Sequence, residues 1–213
     1  MAKRGARNTR RKIVRAAWRL FYEQGYDNTT VEEIIQESGT SKGSFYHYFS
    51  GKDALLSSLS SVFDEKYEEL MGVIAPEDNC FDKLLYLNRE LFSLIESTVS
   101  VELMSRMYAT QLTTSGARHL MDQSRTYYKL LRAIAAEGQA KGQITASLSP
   151  AEVSRIYAMC ERSLIYDWCL RGGEYSLAAY GREMMPFLLS RLRCDVAASM
   201  PPYPANESRF PGK

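Results

Sequence analysis

Apolar residues recur at spacings of three and four along nearly the whole chain, and no stretch alternates apolar and polar positions long enough to make a sheet. Ile13, Ala16, Ala17, Leu20 and Phe21 mark a first helix over about residues 9–24, with Gly25 as its C-terminal stop. Thr30-Val31-Glu32-Glu33 reads as a capping box, with Thr30 as N-cap and Glu33 three residues on. It opens a short helix that buries Val31, Ile34 and Ile35 and ends at Gly39. Ser41 then caps a second short helix, Lys42 to Phe49. Two short helices joined through a glycine predict a helix-turn-helix. From Lys52 the pattern predicts one long helix to about Met71, with Pro76 beyond it. Further helices are expected over about 79–97, 100–113, 116–141, 150–171 and 176–193. Ser149-Pro150 with Glu152 is a second capping box, with proline where its missing N–H costs nothing. The segment from about Asp195, rich in Pro, Ser and Asn, is expected to be disordered or ordered only by a partner.

Composition changes this picture little. The 213 residues are 45% hydrophobic and 24% charged, which excludes a disordered chain and a disulfide-dense mini-protein. No apolar run approaches a membrane span, and the basic start has no apolar segment behind it, so a cytoplasmic protein without membrane association is expected. Cys80, Cys160, Cys169 and Cys194 lie far apart and form no metal-binding or redox pattern. No metal, no cofactor and no catalytic residue is therefore expected.

Charge changes it more. Residues 1–52 hold ten Lys/Arg against five Asp/Glu, whereas the remainder holds 17 against 20. Lys3, Arg4, Arg7, Arg10, Arg11 and Lys12 crowd the start, as a polyanion partner demands. The second short helix has the chemistry to read DNA. Its N-terminus suits a phosphate, Gly43 permits close approach, and Ser44, Tyr46, His47 and Tyr48 offer polar and aromatic contacts to phosphates and base edges. Phe45 and Phe49, four apart, belong inward. An aromatic core stripe explains those two but not Tyr46, His47 and Tyr48 in succession.

The run from Ile13 through Ala16, Leu20-Phe21, Gly25-Tyr26, Thr29-Thr30-Val31 and Ile34, followed by GTSKGSFYHYFSGKDALL, closely resembles the DNA-binding domain of the TetR family of transcriptional regulators over about residues 9–56. The resemblance implies an all-α protein: an N-terminal three-helix helix-turn-helix domain (1–52), then a helical ligand-binding and dimerisation domain (53–194), with 195–213 as tail. It puts DNA contacts at Thr30, Ser41, Lys42, Gly43, Ser44, Tyr46, His47, Tyr48 and Lys52. It also implies a homodimer joined through the last two helices, reading a near-palindromic site in double-stranded DNA as a repressor that a small, largely apolar effector of unknown identity releases. A regulator without a small-molecule effector, controlled by a protein partner or acting as an activator, is the alternative. Stripes at Val153, Ile156, Tyr157, Cys160, Leu164, Asp167 and Trp168, and at Leu177, Tyr180, Met184, Phe187, Leu188 and Leu192, permit the interface.

For the effector pocket, the adaptable apolar candidates are Phe63, Tyr67, Tyr86, Met104, Met107, Tyr108, Tyr127, Tyr128 and Trp168. Arg89, Arg106, His119, Glu161 and Arg162 are candidate polar anchors. The string Gly39-Thr40-Ser41-Lys42-Gly43 mimics a hydrolase nucleophile elbow, but a capped helix precedes it where a strand is required. Residues 1–12 lack the bulky apolar face of a membrane-surface helix.

Overall fold

The computed structural model describes residues 2–56, 58–113 and 118–194, with side chains from Asn8 apart from that of Ser61. The expected tail at 195–213, the break at Gly116 and the side chains of Lys3, Arg4 and Arg7 lie outside the described residues. The elements are α1 (Ala2–Gln24), α2 (Val31–Ser38), α3 (Lys42–Tyr48), α4 (Lys52–Leu56), α5 (Leu59–Met71), α6 (Cys80–Thr98), α7 (Val101–Thr113), α8 (Thr126–Ala140), α9 (Pro150–Leu170) and α10 (Leu177–Leu188). The fold is all-helical. The lone pairing of β type among the described residues is an isolated bridge between Ile144 and Arg193.

Local signals set the first three helices. Thr30 and Glu33 form the capping box of α2, and Gly39 closes it at φ 61, its N–H donating to the Gln36 and Ile35 carbonyls. The Ser41 hydroxyl accepts from the Ser44 N–H to start α3. Ile13, Ala17 and Phe21 of α1 bury against Ile34, Phe45 and Phe49. This small core continues without a break through Leu55, Leu56 and Leu59 into the larger one. There α6 lies against α5, α8 and α10, and α9 against α7, α8 and α10. At Gly181 α10 comes close to α6, and a Cβ there would meet the Phe92 ring at 2.3 Å.

Four expectations need correction. First, α1 starts at Ala2 rather than near residue 9 and runs through Gly5; no proline interrupts it there. Second, the long helix after Lys52 is two, α4 and α5. The break is at Ser58, whose buried hydroxyl accepts from Trp18 Nε1 (3.0 Å) and donates to the Leu55 carbonyl (2.5 Å). The Ser58 N–H also turns back to the Leu55 carbonyl, tightening the chain there. Third, the helix expected over 116–141 is a 3-10 turn at His119–Met121 followed by α8. The buried Gln111 side chain accepts from the Leu120 N–H, and the Asp122 carboxylate accepts from the Ser124 N–H and hydroxyl, holding the intervening turn. Fourth, the last helix stops at Leu188 and a 3-10 turn follows at Ser190–Leu192. Here the Thr145 N–H takes the Leu192 carbonyl and draws the chain aside.

Candidate nucleic-acid interface and ligand cavity

The turn from α2 into α3 brings together most of the residues expected to meet DNA. Thr30, Ser41, Lys42, Gly43, Tyr46 and His47 are exposed, while Ser44 and Tyr48 are half-buried. Tyr46 keeps 47% of its surface in solvent beside Phe45, which has none. Caps and contacts share atoms here. The Thr30 hydroxyl and N–H both donate to Glu33 Oε2, and those bonds hold the Glu33 carboxyl below its ordinary value. Lys42 faces Glu32 at 3.6 Å across open solvent, a pair too exposed to bind the ammonium firmly. His47 and Tyr48 meet edge to face with centroids 4.8 Å apart.

Lys52 departs from expectation. Its ammonium donates to the carbonyls of Tyr26 (2.7 Å) and Thr29 (2.9 Å), reaches that of Asp27, and lies over the Tyr26 ring. All its donors are engaged by the loop that enters α2. Lys52 therefore positions the helix-turn-helix instead of presenting a free cation to DNA. The Tyr26 hydroxyl donates to Asp53, and burial with that bond pushes its pKa up.

The second site lies inside the helical body. A cavity of about 40 Å³ is lined by Phe63 and Tyr67 of α5, Met104, Met107 and Tyr108 of α7, and Tyr127 of α8, all expected pocket residues. Three other expected residues are elsewhere. Tyr128 points away, donating to the Leu120 carbonyl, and Trp168 is core, its Nε1 donating to the Tyr175 carbonyl. Tyr86 lines a separate cavity of about 180 Å³ between α6 and α10, with Asp82, Asn88, Arg89 and Gly181. Leu91, Leu120, Arg125 and Ile165 also line the first cavity, and no sequence signal separated them from ordinary core and surface. Of the expected anchors, Glu161 and Arg162 are present there, whereas Arg106 is at the surface between Asp27 and Glu102 and His119 is exposed.

Glu161 is the unusual member, with only 3% of its surface exposed. Its Oε2 accepts from the Tyr127 hydroxyl (2.7 Å) and its Oε1 from Asn88 Nδ2 (3.1 Å). Burial pushes its carboxyl pKa up, against those bonds and the charge of Arg162. Arg125 is already neutralised by a two-pronged bond to Asp64 (2.9 and 3.0 Å), and Arg162 donates to the Tyr128 hydroxyl. The buried Tyr67 hydroxyl makes no hydrogen bond.

Cavity and DNA-binding head are mechanically joined. Glu65, on the helix that carries Phe63 and Tyr67, pairs with Arg11 (2.8 Å) and Arg15 (3.2 Å) of α1. Arg106, on the helix that carries Met104, Met107 and Tyr108, pairs with Asp27 (2.7 Å) and covers the Tyr26 ring.

The expected interface stripe on α9 is largely spent inside the chain, because Val153, Tyr157, Leu164 and Trp168 are buried in its own core. The apolar residues left outward are Met159, Tyr166 and Leu170 on α9 and Phe187 and Leu188 on α10. No described helix is long and apolar enough to cross a membrane.

A helix-turn-helix head joined to an all-helical body defines the class of protein. Residues 13–59 match the family model described as bacterial regulatory proteins, tetR family. Over that segment the chain carries the helix-turn-helix domain of the TetR family of transcriptional regulators. The fatty acid metabolism regulator protein of Bacillus subtilis is 23% identical over 84% of this chain and 93% of its own. YuxN of B. subtilis is 38% identical over 32% of this chain, and the matched segment spans only 23% of its length. PksA of B. subtilis is 32% identical over 53% of each chain. The fold is that of FadR from B. subtilis, solved in complex with stearoyl-CoA (TM-score 0.65, 22% identity, 85% of this chain and 98% of that one). Thermus thermophilus FadR, solved with lauroyl-CoA, has a TM-score of 0.64 at 22% identity, over 92% of this chain and all of that one.

Proposed function

We propose that this regulator is a ligand-responsive repressor. As a homodimer it reads a near-palindromic operator through residues 1–52 and is released by a small, largely apolar effector held by residues 53–194. One observation carries this reading: α5 and α7, two of the helices that line the cavity, also carry charged residues that grip the head. A molecule that spreads α5 from α7 must pull on α1 through Glu65 and on the Tyr26–Asp27 loop through Arg106. If it binds the spread arrangement better by some factor, DNA affinity falls by that factor. The ligands found with the two similar FadR folds support a body able to hold an effector.

On the DNA, Ser41, Lys42, Gly43 and Ser44 bring the start of α3 against a phosphate, with Thr30 beside it, while Tyr46, His47 and Tyr48 reach base edges and neighbouring phosphates. The exposed apolar set on α9 and α10 supports dimerisation through a four-helix bundle. Such a dimer sets two reading helices about 34 Å apart, in successive major grooves.

The test is recovery of bound fragments from the source organism's sheared genomic DNA by the purified protein. The expected result is one sharp palindromic motif, lost when Tyr46 and His47 are changed to Ala. Broad recovery with no motif and steep salt sensitivity would mean that the basic first helix dominates binding. The cavity volume, enough for only a water or two, favours the second reading of a regulator without small-molecule effector. A truncation at about residue 56 separates the two parts: it should lose dimerisation and effector response together.

A further inference from the structure

We propose that the cavity between α6 and α10 is a second ligand site, separate from the cavity among α5, α7 and α8. It takes a single-ring aromatic carboxylate that carries a ring O–H.

Space is the first observation. The cavity among α5, α7 and α8 has about 40 Å³, whereas the one between α6 and α10 has about 180 Å³. An apolar cavity of about 150 Å³ is enough to hold benzene. Local sequence explains the room. Gly181, with no side chain, brings α10 onto the Phe92 ring of α6, and Pro186 supplies no N–H to the helix ladder. The helices touch at Gly181, and the gap beside it has Leu85, Tyr86, Met185 and Pro186 as its apolar wall.

An unanswered acceptor is the second observation. Asn88 lines this cavity at 1% exposure, and its Oδ1 makes no hydrogen bond. The amide is oriented from behind. Its Nδ2 donates to Glu161 Oε1 (3.1 Å), so Oδ1 is turned toward α10, 3.2 Å from where a Cβ of residue 181 would stand. A buried carbonyl oxygen without a donor destabilises the fold until one meets it. A ring O–H is such a donor.

Charge is the third. Arg89 and Arg182 line the same cavity and are exposed, so their guanidiniums belong to its open side. Asp82, the acid among the described lining, already faces Arg193 at 3.5 Å. Arg89 lies over the Tyr86 ring and meets Glu90 at 3.3 Å in solvent, a weak pair that uses one of its five N–H groups. A guanidinium fork matches a carboxylate. The cavity thus asks for a ring against its wall, a donor for Asn88 and an anion at its mouth, and one small molecule meets all three.

The test uses the full-length protein with isotope-labelled methionine methyl groups and three compounds: meta-hydroxybenzoate, benzoate and meta-hydroxybenzyl alcohol. In NMR titrations meta-hydroxybenzoate should shift the methyl of Met185 and leave those of Met104 and Met107, which line the other cavity, in place. Benzoate, which lacks the donor, should bind about three- to tenfold more weakly, and the alcohol, which lacks the charge, about tenfold more weakly. Asn88→Leu should erase the preference for meta-hydroxybenzoate over benzoate. Arg89→Gln combined with Arg182→Gln should bring the acid-to-alcohol ratio near one and keep the hydroxyl preference. Each ratio is internal to its variant, so a general loss of fold does not imitate either result. A Met185 shift with equal affinity for all three compounds overturns the assigned chemistry. Shifts at Met104 and Met107 instead overturn this site and support the effector reading of the other cavity. Binding of none of the three overturns the second site and leaves that reading standing.

Discussion

In the head, polar side chains work at the surface: Thr30 and Ser41 cap α2 and α3, and Tyr46 and His47 stand out from α3 into solvent. In the body they work in the dark: Glu161, Asn88 and the Tyr67 hydroxyl lie inside an apolar wall. Exposed groups cost the fold little, so the head displays its chemistry on a small, stiff core. Buried ones carry a desolvation penalty, so those not needed for packing point to something they must meet. The difference separates a surface that recognises by presenting groups from an interior that recognises by leaving them incompletely satisfied.

The comparison breaks most violently at Phe45. It is wholly buried among Phe21, Ile34 and Phe49, and its truncation to Ala should cost about 3–5 kcal/mol. Chemical denaturation should then show an early transition for the head, with DNA binding lost at temperatures where the wild type binds. A transition within about 1 kcal/mol of wild type would show that the head is not organised on this ring. Its neighbours on α3 should behave oppositely. Tyr46→Ala and His47→Ala leave the core untouched, so the melting curve should hold. Operator affinity should drop by about 1–3 kcal/mol for each base contact removed, while binding to random DNA falls far less.

That contrast also explains what the sequence could disclose. Thr30 with Glu33, Ser149-Pro150 with Glu152, and Gly39 act on neighbours in the chain, so helix starts and stops were legible. So was the outward set on α3, since burying Phe45 and Phe49 leaves Tyr46 and His47 no inward place. Lys52 and Ser58 were not legible. Lys52 answers carbonyls 23 to 26 residues earlier, and Ser58 breaks its helix for a tryptophan 40 residues away. The cavity was legible by residue type but not by membership. Tyr127 and Tyr128 are adjacent and chemically alike, and only the rotation of α8 sends one to Glu161 and the other to Leu120.

A smaller effect sharpens the body's side of the contrast. The raised pKa of Glu161 means that the folded state holds its proton more tightly than the unfolded chain does. Its contribution is therefore full below the ordinary carboxylate pKa and is lost as pH rises through the folded value. Removing the charge by Glu161→Gln should stabilise the protein at neutral pH by about 1–2 kcal/mol, or about 2–8 °C in Tm, and the gain should vanish in acid. Tyr67, Tyr127 and Tyr157 stay neutral over that range, their pKa values also raised by burial. Thermal melts of both proteins from acid to neutral pH read the sign directly; a Gln variant less stable at every pH would contradict it.

The smallest effect on stability falls at the joint between the two regions. The Arg106 side chain is 41% exposed, and its pairs with Asp27 and Glu102 are of the kind that contribute about 0–1 kcal/mol. Arg106→Ala should therefore melt close to wild type and bind operator nearly as well. What it should lose is transmission. Without the guanidinium over Tyr26, movement of Met104, Met107 and Tyr108 reaches the head through Glu65 and α1 and through the apolar contact of α7 with α4. The factor by which effector weakens operator binding should then shrink by about two- to thirtyfold, a change of about 0.5–2 kcal/mol in coupling. Glu65→Gln interrupts the route through α1 and should shrink it independently. The double variant decides between two arrangements: additive losses mean that α5 and α7 act as separate levers, whereas a double no worse than either single means that they move as one rigid wall and the head responds only when both grips hold.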